Sequence, residues 1–335
     1  MNKNLVLIGA ALAMSLTWAG CNKSGKLNQS SAFTPPGGPV ELKLKWPPGE
    51  RIVQDMDMKQ TIEFSAPGQP APVKQDTTMG QEYGLTVLKE NPDGGHEVEM
   101  DFLGARMGVT MGGKTMFDYD SAKKSPADST DPVAGVFGKI VGSKIQFFLN
   151  ATNGIERIEG IEEMMNRLQT GASAREVAPL KSMFNESYFR QLMSANRYLP
   201  PKAVQPGDTW PVQIEFPMGV VGNMVMNYDF TFKSWEMHGK RNCARLEFVG
   251  TIKSIPDTNA KPTAMSLSIP AGNSSGVSWF DPELGIAIDT IANHDMSMVM
   301  NLPMNPRGNS VTAGQMQSIT NQMNQAVTIK LMSVK

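Results

Sequence analysis

Tyr83-Gly84-Leu85-Thr86-Val87-Leu88-Lys89-Glu90-Asn91-Pro92-Asp93-Gly94-Gly95-His96-Glu97-Val98-Glu99-Met100-Asp101-Phe102 reads as two strands and the turn between them. Tyr83, Leu85 and Val87 before the turn, and Val98, Met100 and Phe102 after it, fall at every second position, the period of a strand with one buried face. Asn91 to Gly95 supplies residues that tolerate positive φ and reverse the chain. An antiparallel hairpin follows, and the same alternation extends from it in both directions.

Toward the N-terminus, Ile52, Met56, Met58, Ile62 and Phe64 alternate with Asp55, Asp57, Lys59 and Glu63, and a Pro-rich loop over 66–73 ends this long strand. Before it, Val40, Leu42, Leu44 and Trp46 alternate with Glu41, Lys43 and Lys45 up to Pro47-Pro48-Gly49, which predicts a further strand. Toward the C-terminus, Met107, Val109 and Met111 lead to Gly112-Gly113, and Phe117 and Tyr119 predict one more short strand. Asp131 before Pro132, with Val133, Val136, Phe137, Ile140 and Val141 at helical spacing, predicts a capped helix ending near Gly142. Ile145, Phe147 and Leu149, then Asn153-Gly154 and Ile155 and Ile158, predict a second hairpin.

The centre changes period. Ile161, Met164, Met165 and Leu168 form a helical stripe; Ser173-Ala174-Arg175-Glu176 matches a capping box before Val177, Leu180, Met183 and Phe184; and Tyr188 to Met193 continues toward Pro200-Pro201. Alternation then resumes at Trp210, Val212, Ile214 and Phe216. It continues through Met224 to Phe232, Ala244 to Ile252, Met265 to Ile269, Ile286 and Ile288, His294 to Met300, and Val327 to Leu331. The expected architecture is α+β and predominantly antiparallel β. Two β-meander lobes, 40–158 and 200–335, would form a twisted open or half-barrel sheet, with helices over 159–199 packed on it.

The first 39 residues carry an address. Lys3, the apolar run Leu5 to Leu16 and Trp18-Ala19-Gly20-Cys21 read as a secretory signal over 1–20 ending in a lipobox, so that the Cys21 thiol would be acylated. The run is shorter than the ~20 residues a membrane-spanning helix needs. Residues 22–38, rich in Ser, Gly, Asn, Gln and Pro, read as a tether in the segment 21–39. This places the chain outside the cytoplasm on a membrane, and Asn22 rather than Asp after the cysteine favours the outer one.

Composition narrows the class further. The net charge is −1, and loss of residues 1–20 removes only Lys3, giving −2; nucleic acid is therefore not an expected partner. With Cys21 acylated, Cys243 stands alone and no internal disulfide forms. The 25 methionines outnumber the leucines, and their flexible thioethers suit either an irregular core or a surface for varied apolar partners.

Pro48-Gly49-Glu50-Arg51-Ile52 and Pro206-Gly207-Asp208-Thr209-Trp210 echo one another as turn, acid and strand entry. Together with Lys45-Trp46-Pro47-Pro48-Gly49-Glu50, the Asn153-Gly154-Ile155 to Gly160 hairpin exit and Val204-Gln205-Pro206-Gly207-Asp208-Thr209-Trp210, the lipobox resembles a family of bacterial lipoproteins that carry a domain of unknown function, over roughly 40–335. The resemblance implies no activity and no catalytic residue.

Motifs that carry chemistry are few. Gly272-Asn273-Ser274-Ser275-Gly276 spells a nucleophile elbow, but no helix pattern follows it, and a Ser/Gly loop is expected there. His96, His238 and His294 are the only imidazoles, and none sits in a recognisable constellation; Asp118-Tyr119-Asp120 lacks the rest of a calcium loop. No cofactor and no catalytic residue are expected. The expected function is a non-catalytic lipoprotein, held to the membrane through Cys21, that binds or presents an apolar ligand or an envelope protein through its sheets. The alternative is a purely structural envelope protein. A minor alternative is a Cu(I) site on His294, Met296, Met298 and Met300, completed from a neighbouring strand by Met224 or Met226.

Overall fold

A computed structural model describes residues 37–65, 71–123, 138–171, 173, 177, 181, 184–217, 223–255, 266–303 and 316–335. The proposed signal, Cys21, most of the tether, the start of the helix expected from Asp131 and most of the Ser173 capping box lie outside these residues.

Twelve antiparallel strands form one sheet: β1 (Arg51–Ser65), β2 (Val73–Glu90), β3 (His96–Met111), β4 (Lys114–Asp120), β5 (Lys144–Leu149), β6 (Ile155–Glu159), β7 (Thr209–Pro217), β8 (Asn223–His238), β9 (Arg241–Ile255), β10 (Ser266–Asp281), β11 (Ile286–Pro303) and β12 (Met316–Val334). Their order is β6-β5-β3-β2-β1-β12-β11-β10-β9-β8-β7, with β4 beside β3. Two α-helices are seen among the described residues, α1 (Ile161–Gln169) and α2 (Glu186–Leu192). The α+β, mostly antiparallel expectation holds. The two expected meanders share a single sheet, because β1 pairs along its length with the last strand, Met56 opposite Ile329 and Ile62 opposite Met323.

The turns follow from residue chemistry. Gly239 and Lys240 both take positive φ, 53° and 72°, between β8 and β9, which matches a two-residue hairpin to the strand twist. Gly160, at φ 91°, begins α1 where a Cβ would collide with the Lys144 carbonyl. On α1, Met164 and Leu168 are buried, while Glu162 and Glu163 lie at its positive end and Arg167 at its negative end. On α2, the Asn185 side chain accepts from the Tyr188 amide at 3.0 Å and so caps the first turn.

The sheet is rolled. Laid flat, ten strand spacings of ~4.8 Å would hold β6 and β7 about 48 Å apart. Yet two consecutive side chains of α2 reach both edges: Arg190 donates to the Ile155 carbonyl on β6 at 2.9 Å, and Gln191 to the Glu215 carbonyl on β7 at 3.4 Å. A seven-residue helix therefore closes the seam. Phe184 and Phe189, flanking and within α2, meet Phe102 of β3 edge-to-face at 6.2 and 6.3 Å.

Val40 to Trp46 departs from expectation. Leu42 and Trp46 are buried, as the alternation requires, but the segment forms no ladder beyond the bridge from Val40 to Val204. Trp46 instead donates to Asn153 at the β5–β6 turn at 2.8 Å, and the Lys45 amide to Gly285 at the β10–β11 turn at 3.3 Å. The segment is a strap joining turns at one end of the roll, and its apolar side chains alternate because one side faces the core.

The echo between Pro48-Gly49-Glu50 and Pro206-Gly207-Asp208 is structural. Gly49 and Gly207 have φ of 82° and 99°. The Gly49 amide donates to Val87 while the Val87 amide donates to Glu50, and Gly207, Phe232 and Asp208 make the same pair of bonds. Each turn ties the first strand of a meander to its second.

Candidate functional site

The inner face of the roll is lined by methionine and crossed by one polar belt. On β11, His294, Met296, Met298 and Met300 alternate inward and are buried. Across the ladders, Met296 faces Met323 on β12, which faces Ile62 on β1. Four residues further along β1, Met58 faces Met79 of β2, which faces Met107 of β3. Between these apolar rows runs the rung Tyr228, Gly250, Ser274, His294, Gln325, Gln60 and Thr77, one residue from each of seven adjacent strands, β8 to β2 by way of β12 and β1.

Every side chain on this rung beyond Gly250 is buried: His294 is 1 % exposed, Thr77 1 %, Gln60 2 %, Tyr228 2 %, Gln325 3 % and Ser274 4 %. Gly250 leaves room beside Tyr228, whose ring a Cβ there would strike. Two of the bonds these groups make go to sulfur. Gln325 donates through Nε2 to Gln60 Oε1 and to the Met58 sulfur, both at 3.2 Å, and the Tyr228 hydroxyl donates to the Met226 sulfur at 3.1 Å. Thioether sulfur is a poor acceptor. Neither ring nitrogen of His294 nor Oε1 of Gln325 has a partner among the described residues. Burial drives the His294 pKa down to about 4, so the ring is neutral at pH 7 and offers one donor and one acceptor.

The belt was legible only in part. The parity of His294 with Met296, Met298 and Met300 is in the sequence, and so is that of Gln60 with Met58 and Ile62, but polar residues on separate strands do not announce that they share a rung. Gly272 to Gly276, expected as a loop, lies in the middle of β10. Its glycines admit large neighbours: a Cβ on Gly272 would come 2.8 Å from Met296 Cγ, and one on Gly276 would strike Phe248. A strand at this point rules out the strand–turn–helix geometry of a nucleophile elbow.

The expected completion of a copper site from a neighbouring strand is also corrected. Met224 and Met226 are buried on β8, but β10 and β9 stand between β8 and β11; the ladder neighbours of His294 are Ser274 and Gln325. The three histidines lie on β3, β8 and β11, which are not adjacent. His238, on the outer face, stacks on Trp279 at 4.2 Å and lies 2.9 Å from Asp289. Cys243 is buried on β9, and its thiol is pushed up to about 12, chiefly by burial. Among the described residues no three His, Cys, Asp or Glu side chains gather to hold a metal, and no helix is long and apolar enough to cross a membrane.

Comparison with known families decides the kinship: a family model matches residues 93–287, from the β2–β3 turn to the start of β11. The chain belongs to DUF6263, a family of unknown function. No curated protein matches this DUF6263 chain. Among solved structures it is similar to lipovitellin, at 10 % identity and a TM-score of 0.43, over 87 % of this chain but only 26 % of that one. It is also similar to a Parabacteroides distasonis protein described as a lipoprotein, at 14 % identity and a TM-score of 0.26, over 88 % and 99 % of the two chains. A Bacteroides fragilis protein described as exported, with a YmcC-like fold, matches at 11 % identity and a TM-score of 0.23, over 88 % and 100 %.

Proposed function

We propose that this protein is a non-catalytic lipoprotein of the bacterial cell envelope, anchored through acylated Cys21 in the outer membrane in preference to the inner, whose rolled sheet accommodates an apolar guest. The observation that carries the reading is the inner face itself. Methionines on β1, β2, β3, β11 and β12 meet across successive ladders, and their unbranched side chains can re-pack around a guest at small cost. Access would come by parting the seam, which α2 holds on the β7 side through a 3.4 Å hydrogen bond.

Native mass spectrometry of the protein extracted from its own host tests this. A co-purifying lipid is the expected result; a clean apo mass under gentle conditions would end the ligand reading. The second reading, a purely structural envelope protein, is favoured by the near-complete burial of the same methionines, Met296 at 3 % and Met323 at 0 %. The anchor is tested separately. Cys21→Ser should abolish metabolic labelling with a fatty-acid analogue, and undiminished label would exclude Cys21.

A further inference from the structure

A core built only for stability would fill the His294 rung with apolar side chains. Buried polar groups are nearly always hydrogen-bonded, because leaving one unsatisfied forfeits its solvation without return. Here Met296 and Met323 on one side of the rung, and Val327 and Met58 on the other, frame an imidazole and an amide oxygen, those of His294 and Gln325, that have no partner among the described residues. The unpartnered atoms are neighbours: His294 and Gln325 stand directly opposite on β11 and β12. Side chains on such a pair have Cβ atoms ~5 Å apart, close enough for one small group to touch both.

The chemistry of the rung also limits what can bind. No Lys, Arg, Asp or Glu lies on it. The buried acids Asp101, Asp281 and Asp289 are paired elsewhere, with Arg51, Arg241 and His238. A carboxylate or phosphate head would therefore be buried without a counter-ion, which disfavours it strongly. A pure hydrocarbon would leave His294 and Gln325 Oε1 unsatisfied.

Resting on the reading that the interior takes a guest, we propose that the guest is an uncharged long-chain lipid bearing a hydroxyl, which hydrogen-bonds His294 and Gln325 while its chain lies along the methionine rows. A hydroxyl both donates and accepts, so its O–H can donate a hydrogen bond to Gln325 Oε1 while its oxygen accepts one from the imidazole N–H.

The test measures how much of three probes, added from ethanol, the full chain retains on detergent-free gel filtration: 1-monooleoylglycerol, 1-octadecene and oleate. The expected result is at least tenfold tighter retention of the monoglyceride than of either other probe, lost in His294→Leu/Gln325→Leu and kept in His294→Gln, which still donates and accepts. Thermal unfolding of each variant shows whether it is folded; should the double variant fail to fold, Gln325→Leu alone is expected to reduce the preference. Equal retention of octadecene or oleate, or a preference that survives the leucine substitutions, would overturn the hydroxyl assignment and leave the apolar interior standing. Retention of none of the three by the unaltered chain would overturn both.

Discussion

The Tyr188 hydroxyl donates to Gln81 Oε1 at 3.2 Å, linking the short helix at the seam to the middle of β2 across 107 residues of sequence. Both side chains are buried, and burial raises the tyrosine pKa, so the phenol stays protonated and remains a donor. Tyr188→Phe leaves a buried amide oxygen without its partner and should cost about 1–3 kcal/mol in denaturant unfolding. Adding Gln81→Leu should recover part of that loss; a double variant no better than the sum of the singles would show that the bond contributes nothing.

Gly276 is where β10 lets the Phe248 ring through, and a Cβ there would also strike the Ile291 carbonyl. Gly276→Ala should destabilise by about 1–3 kcal/mol through overpacking against backbone that cannot rotate away. At Gly108 an added Cβ meets Thr78 Oγ1 at 2.8 Å, which can turn aside, so Gly108→Ala should stay near neutral. Thermal melts of the two variants check the contrast.

His294 gives a pH dependence. Its folded pKa of about 4 lies below the ~6.5 of an exposed imidazole, so between these values the unfolded chain binds the proton and the folded chain does not. Stability from this group is complete above pH ~6.5 and is lost as pH falls toward 4, a change on the order of a few kcal/mol. The slope of unfolding free energy between pH 7 and 4.5 should flatten in His294→Gln. An unchanged slope would remove His294 from the account.

Cys243 should be inert in the folded protein. The thiol is buried and burial holds it protonated, whereas only the thiolate attacks a disulfide reagent. In a Cys21→Ser chain, where Cys243 is the remaining thiol, an aromatic disulfide reagent at pH 8 should release no colour until guanidinium is added. Prompt reaction of the native chain would mean that the β9 position opens readily.

Met164 and Leu168 are 2 % and 0 % exposed on the inward side of α1. Leu168→Asp places a charge there without a counter-ion and should cost about 3–5 kcal/mol, read as a fall in melting temperature. Glu163→Ala, on the exposed side, should lose only its interaction with the helix dipole, at most ~1 kcal/mol, and serves as the control.

The features legible in the sequence were those with short-range causes. The hairpin around Asn91 to Gly95 and the inward parity of Met296, Met298 and Met300 each follow from a few neighbouring residues. What escaped had causes elsewhere in the chain. Val40 to Trp46 carries a strand's period without a ladder, since its hydrogen-bond partners are turns, and Gly272 to Gly276 looks like a loop until Phe248 and Met296 are seen to need the space. The belt was hidden for the same reason: Ser274, His294, Gln325, Gln60 and Thr77 become one feature only when five strands are in register.

The pairing of β1 with β12 has a consequence for how the chain is made. Met56 meets its partner Ile329 only after 273 further residues exist, and at ~5–20 residues per second synthesis takes on the order of tens of seconds to supply them. Through that interval the nascent first meander presents a bare β1 edge, fifteen residues long, to anything else with an unfilled strand position. Final closure is a late, long-range event, and a chain shortened before Met316 lacks the central strand that joins its two halves.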